Sequence, residues 1–204
     1  FSPLAKVFAA PLPIFQPIIG RPRLDGASIS ISTTQNCKAY IEYGLAKTKM
    51  TGKSETLTCV PDSPSVFEIK NLKANTNYFY RIRFITGSSN TATASSTIGT
   101  FATGKTAGTP FSFTLHGDTH PERLGKMYNP DLYKVTLTNV ANQKPDFHIL
   151  LGDDFSIDPL IQKGNATADN VDAVYKAHRS FGGLKIPRQW QSRTSSLLFI
   201  RWKR

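Results

Sequence analysis

The chain has few cysteines, no long apolar run and no acid in its last stretch, and each shortage closes off a class of function. Cys37 and Cys59 are its only cysteines. They are too few for a cysteine zinc site and too far apart for a redox CxxC pair. They fall in neighbouring predicted strands, where the pair reads either as a disulfide or as two small buried side chains. No run of about eighteen apolar residues occurs, so no segment is expected to span a membrane. Acids number 14 against 25 Lys and Arg, a formal charge of +11. Six of the bases (Lys185, Arg188, Arg193, Arg201, Lys203, Arg204) sit in the last twenty residues with no acid among them, leaving 19 bases against 14 acids elsewhere. A mildly basic body of that kind draws anionic substrates. Nucleic acid is not expected as a specific partner, because the bases gather in the tail instead of interleaving with aromatics on a strand face.

What is present is ordinary in composition: 204 residues, 39% hydrophobic and 19% charged, which allows one or two domains. The sequence starts at Phe1, and its apolar stretch from Leu4 to Ile19 is broken by Pro11, Pro13 and Pro17. That stretch reads as the tail of an export signal or as a linker, and a secreted, periplasmic or cell-surface location is the expectation. The oligomeric state leaves no signal.

From residue 21 to 103 period two dominates. Ala27 to Ser32 alternates; Cys37, Ala39, Ile41 and Tyr43 share a face opposite Lys38, Tyr40 and Glu42. Strands are predicted at Ser54 to Val60, Val66 to Ile69 and Asn77 to Ile85, the last with Tyr78, Tyr80, Ile82 and Phe84 on one side. One apolar face per strand requires a second sheet to cover it, hence a sandwich. Leu72-Lys73-Ala74-Asn75-Thr76-Asn77-Tyr78, followed by Phe79-Tyr80-Arg81-Ile82, resembles the fibronectin type III pattern, in which Tyr78 would be a tyrosine corner bonded to upstream backbone. Gly99-Thr100-Phe101-Ala102-Thr103 resembles the closing strand of such modules. This likeness implies a fold and no function.

Residues 104 to 110, Gly-Lys-Thr-Ala-Gly-Thr-Pro, form a boundary, and residues 110 to 204 are expected to make a second domain. A strand at 111–115 leads into His116-Gly117-Asp118-Thr119-His120. Asn129-Pro130-Asp131 starts a helix with a cap, a first-turn proline and an acid at the positive end of the dipole. Tyr133, Leu137, Val140 and Ala141 form its apolar stripe. A strand at 147–151 follows and runs into Gly152-Asp153-Asp154. Strand, helix and strand make a right-handed crossover with parallel strands, which carries Asp118 and Asp153 to the same sheet edge. A later helix is expected from Thr167 or Asp169 to Ser180, with Val171, Val174, Tyr175 and His178 on one side. The two acidic motifs at strand ends suit a two-metal hydrolase, with Asp118 and His120 on one ion and Asp153 between two. His116 and His148 are assigned to packing or to supporting the ligands from behind, and Asp154 to a cap.

Pro145-Asp146-Phe147-His148-Ile149-Leu150-Leu151-Gly152-Asp153 resembles the second motif of the calcineurin-like metallophosphoesterases, and residues 116 to 120 resemble their first. A fibronectin-like module in front is what the purple acid phosphatases of that family carry. The resemblance implies a mainly β, fibronectin type III-like N-terminal sandwich followed by the first part of an α/β metallophosphoesterase domain. It further implies two divalent or mixed-valence metal ions (Mn, Zn or Fe), with Asp118, His120 and Asp153 as ligands, and a phosphate ester as substrate. Purple acid phosphatases place a tyrosine three residues after the second-motif Asp; Ser156 stands there, so a ferric tyrosinate is not expected. The family's GNH[ED] segment and two later histidine segments should follow near residue 179, and the residues to 204 hold none of them. Only the first half of the catalytic domain is therefore expected, by truncation or a shifted frame, with little hydrolysis by these 204 residues. The parent activity implied is phosphomonoester hydrolysis. The alternatives are phosphodiester hydrolysis and a non-catalytic extracellular binding module.

Overall fold

The structure, a computed structural model, describes residues 17–120, 123, 125, 126, 128–151 and 155–184. Asp153, Asp154 and the sequence motifs before 17 and after 184 lie outside the described residues, as does the side chain of His178. The first part of the chain is two antiparallel sheets around one core. One sheet has the order β1-β2-β6, from β1 (Ile18–Arg23), β2 (Gly26–Ser32) and β6 (Pro64–Ile69). The other is built on β3 (Cys37–Gly44) and β7 (Asn77–Ile85), which pair along their whole length. β3 carries β4 (Gly52–Lys53) and β5 (Leu57–Cys59) on its free side, and β7 carries β8 (Ala94–Ser95) and β9 (Gly99–Ala102). Two short strands share each outer lane, so the sheets have three and four lanes. None of residues 54–85 is helical.

The alternation read from sequence decides which side chains enter the core. Ile29 and Ile31 from β2, Ala39 and Ile41 from β3, Phe67 and Ile69 from β6, and Ile82 and Phe84 from β7 are almost wholly buried between the sheets. Two local features depart from the expected strands. The predicted strand 54–60 is broken at Ser54: its amide still donates to the Ile41 carbonyl at 2.9 Å, but its hydroxyl, in place of a backbone carbonyl, accepts the Ile41 amide at 2.9 Å. The start of the sandwich lies earlier than residue 21, because β1 begins at Ile18 and bulges between Gly20 and Arg23, with Arg21 left-handed at φ 48°. The outward face of the β3–β7 pair also differs from expectation. Tyr40 and Phe79 do interleave there with Lys38, Arg81 and Arg83.

Tyr78 is buried, and its hydroxyl oxygen accepts the Lys73 amide at 3.0 Å. Asn71 and Asn75 supply the left-handed turns of the corner, at φ 61° and 49°, a conformation that Asn tolerates better than most residues. Buried Thr103 ties the corner to the last lane, its hydroxyl donating to the Lys73 carbonyl at 2.6 Å and accepting the Thr76 amide at 3.0 Å. Replacing Tyr78 by Phe keeps the ring and removes only the acceptor. The denaturant midpoint should fall by an amount worth about 0.5–1.5 kcal/mol; no change would mean the bond adds nothing beyond ring packing.

Cys37 and Cys59 stand opposite each other in the β3–β5 ladder. Both are buried free thiols, so of the two sequence readings the structure holds the second. Burial first, and the neighbouring Cys59 second, push the Cys37 thiol up to about 11. Because the thiolate is the reactive form, a thiol-specific colorimetric reagent is expected to find no reactive cysteine in the folded chain at pH 8 and two after denaturation. Rapid labelling of the folded protein would count against this packing.

The second part is small. β10 (Phe113–His116) and β11 (Phe147–Leu150) are parallel and joined through α1 (Pro130–Gln143). Asn129 caps α1, its side-chain oxygen accepting the Asp131 and Leu132 amides at 2.9 and 3.2 Å, and Lys144 closes it in a left-handed conformation. α2 (Asp158–Gln162) and α3 (Ala168–Leu184) follow. α3 begins where Thr167 accepts the Asn170 amide, and its Lys176 bridges Asp172 and, on the sandwich, Asp62. No described helix is long and apolar enough to cross a membrane.

Candidate metal centre

The parallel register sets Phe113 beside Phe147, Thr114 beside His148, Leu115 beside Ile149 and His116 beside Leu150. The Leu151 amide donates to the His116 carbonyl at 2.8 Å, carrying the ladder one step further. Both strands therefore finish at one edge, and the Asp118 motif leaves it directly after His116. Asp146 is spent at the opposite end. Its carboxylate takes the Lys105 ammonium at 2.8 Å and the Ser112 amide at 2.9 Å, clamping the strand starts beside a cleft of about 600 Å³ lined by Phe111, Lys144 and Phe147 among others. Neither Asp118 nor His120 lines that cleft.

The two faces of the β10–β11 ribbon are unlike. Thr114, His116 and His148 lie on the side covered by α1, through Tyr133 and the buried Leu137. There His148 Nδ1 is 2.7 Å from the Thr114 hydroxyl, and its Nε2 is 2.6 Å from His116 Nδ1. His116 Nε2 lies 3.4 Å from the Tyr133 hydroxyl. Burial first, and the His116 ring second, press the His148 imidazole down to about 4, while Thr114 pulls the other way. Both histidines thus back the strand end from beneath the helix, as the sequence assigned them. On the opposite face Phe111, Phe113 and Phe147 stack with ring centroids 5.4 to 6.2 Å apart, and Phe113 and Leu115 stay about half exposed.

Beyond His116 the backbone turns sharply. Asp118 and His120 are both left-handed, at φ 60° and 41°, and the His120 carbonyl accepts the Arg123 amide at 2.9 Å. Residues two apart in a strand point the same way. The structure brings Asp118 and His120 together differently, through two strained loop residues on either side of Thr119. Asp118 Oδ1 and His120 Nε2 are 2.8 Å apart, the carboxylate 69% exposed and the imidazole 6% exposed. Left-handed residues that are not glycine cost energy and persist where the surroundings hold them, which is common at functional sites. A carboxylate oxygen and an imidazole nitrogen at this separation are a donor set suited to zinc, manganese or iron. Among the described residues no group of three or more His, Cys, Asp or Glu converges on a metal-sized site. Ser156 accepts the Asp158 amide at 3.0 Å and so serves the start of α2.

Two solved structures share the fold at length. Over 90% of its residues the chain resembles PhoD, with a TM-score of 0.59 and 16% identity. Over 86% it resembles purple acid phosphatase PPD1 from the seeds of yellow lupin (Lupinus luteus), with a TM-score of 0.58 and 14% identity. The chain spans 37% and 34% of those two proteins, about a third of each. At such identities the likeness is one of fold: a β-rich N-terminal region followed by a small α/β region, in part the fold of the metallophosphoesterases. No family model matches the chain, and no curated protein matches its sequence.

Proposed function

We propose that the loop after β10 is the first half of a metal site in a protein of the calcineurin-like metallophosphoesterase lineage, and that its chemistry is hydrolysis of phosphate monoesters. The observation that carries this reading is the Asp118–His120 contact at the carboxyl edge of a parallel strand pair. Asp153 is three residues past the end of β11, on the segment leaving the same edge, and is the proposed shared ligand. The fold likeness to a purple acid phosphatase supports the assignment, as does an unlike donor pair in place of two carboxylates. In this reading the sandwich, from β1 to residue 103, is a fibronectin type III-like module, and the α/β part from residue 110 carries the chemistry.

Asp118 and His120 would hold a divalent or mixed-valence pair of Mn, Zn or Fe ions together with Asp153. Such ions, when bound, polarise phosphoryl oxygens and offset the charge that develops on them. The chain's own residues supply the rest of what can be derived. The buried His120 ring is held against Asp118, so that nitrogen is aimed before any ligand arrives. The Asp118 carboxylate is 69% exposed, so it stays open to a cation arriving from solvent. The hydrogen-bonded histidines beneath α1 hold the strand end in position.

The test is calorimetric titration of the 204-residue chain with Mn²⁺ and Zn²⁺, alone and in the presence of an aryl phosphate. Binding is expected, and Asp118→Ala or His120→Ala should weaken it by at least about tenfold, since even groups that only orient a metal ligand are worth roughly 10–100-fold. Equal binding by all three proteins would remove Asp118 and His120 from the site, whatever the turnover measured beside it.

A further inference from the structure

The strongest feature outside that edge is the outward face of the four-lane sheet. Residues 1–184 hold 19 basic and 14 acidic side chains; this single face takes five of the bases and one of the acids. Lys38 stands on β3, Arg81 and Arg83 on β7 and Lys53 on β4, while Lys47 reaches in from the turn after β3. The one acid, Glu42, lies among them. It accepts from Arg81 Nε at 2.6 Å and lies 3.7 Å from Arg83 Nε, so it orients the two guanidinium groups without balancing the face. Outside it, the same residues are close to neutral, and the excess charge of the folded body is concentrated in one place.

The rings on this face decide which polyanion fits. Lys53 Nζ sits 4.0 Å above the Tyr40 ring and Lys47 Nζ 5.7 Å above the Phe79 ring. Ammonium groups held by cation–π attraction occupy the ring faces that the bases of a single-stranded nucleic acid would need for stacking. A polymer that offers only repeated charges meets no such obstacle. The cations are spread over adjacent lanes about 4.8 Å apart and at alternate positions about 6.7 Å apart along β7. That spacing is of the order of one sugar unit, so a chain bearing about one anionic group per sugar can meet several of these cations at once.

We propose that this face docks an acidic polysaccharide, carboxylated or sulfated, by charge complementarity, independently of the hydrolytic reading of the strand edge. The experiment uses the full 204-residue chain with heparin and with hyaluronate, followed by calorimetry at low salt. A single-stranded oligonucleotide of equal charge is run in parallel. Lys38→Gln/Lys47→Gln/Lys53→Gln should lose roughly tenfold in polysaccharide affinity, since it removes three exposed charge contacts at once. Arg201→Gln/Lys203→Gln/Arg204→Gln in the tail should bind as the parent does, and binding should weaken steeply with salt. Lys38→Gln alone, which touches neither ring, provides a variant whose fold is not at risk and should lose part of the affinity. Unchanged binding by the face variants, loss confined to the tail variant, no binding of either polysaccharide, or tighter oligonucleotide binding through the same lysines would each overturn the proposal.

Discussion

Truncating Phe101 to alanine is expected to cost the sandwich about 3–5 kcal/mol, the range for deleting a fully buried aromatic ring from a packed core. Phe101 is inaccessible to solvent. It lies opposite Tyr78 in the β7–β9 ladder, stacks on that ring at 5.5 Å and meets Tyr80 at 6.1 Å. The substitution therefore removes more than transferred surface. It opens a void between the last lane and the tyrosine corner, and it takes away the ring that fixes the inclination of Tyr78. Neighbouring rings should couple, so a cycle with Tyr78→Phe is expected to depart from additivity by at least about 0.5 kcal/mol. Equilibrium denaturation followed by far-ultraviolet circular dichroism measures both. A loss under about 1 kcal/mol would mean that the sheets close over the gap and that the corner does not depend on this ring.

How far the fold could be read in advance depended on whether the information was local. Asn77 to Ile85 was legible because nine residues alternate without interruption and both sheets use that alternation. The cap of α1 was legible because Asn129, Pro130 and Asp131 each act within one helical turn. The break between β4 and β5 was not. A serine hydroxyl replaced a ladder carbonyl, and nothing in the spacing of Ser54 to Val60 announces that exchange. β1 was hidden by prolines just ahead of it. At the candidate site, the residue types and the crossover could be read, but the contact between Asp118 and His120 arises from left-handed backbone, which neither residue signals reliably. The basic face was missed for a related reason. Lys38, Lys53 and Arg83 are distant in sequence, and only strand register makes them neighbours.

The His116–His148 pair carries the other large expected effect, a loss of stability in mild acid. His148 is 2% exposed, and its imidazole is held down to about 4 against an ordinary value of 6.5. In the unfolded chain the ring takes a proton near pH 6.5, whereas the folded protein resists it until about 4. Below 6.5 the unfolded state therefore binds more protons, and stability must fall as pH falls. The contribution is intact above 6.5 and declines by at most about 1.4 kcal/mol per pH unit, so that the accumulated loss reaches about 3 kcal/mol near pH 4. Accepting the charge would place an imidazolium beneath α1 with its nearest nitrogen 2.6 Å from a second histidine, in a site from which helix and sheet exclude water. The strand ladder from Phe113 to His116 should report the change, because His148 and Thr114 belong to its core face. Amide hydrogen exchange of Leu115 and Ile149 between pH 7.5 and 4.5, corrected for intrinsic rates, is expected to show opening that becomes easier toward acid. In His148→Gln, which cannot titrate, the acid dependence should flatten even if the variant is less stable throughout. An equally steep acid limb in that variant would assign the effect to other groups and leave the buried pair a packing contact only.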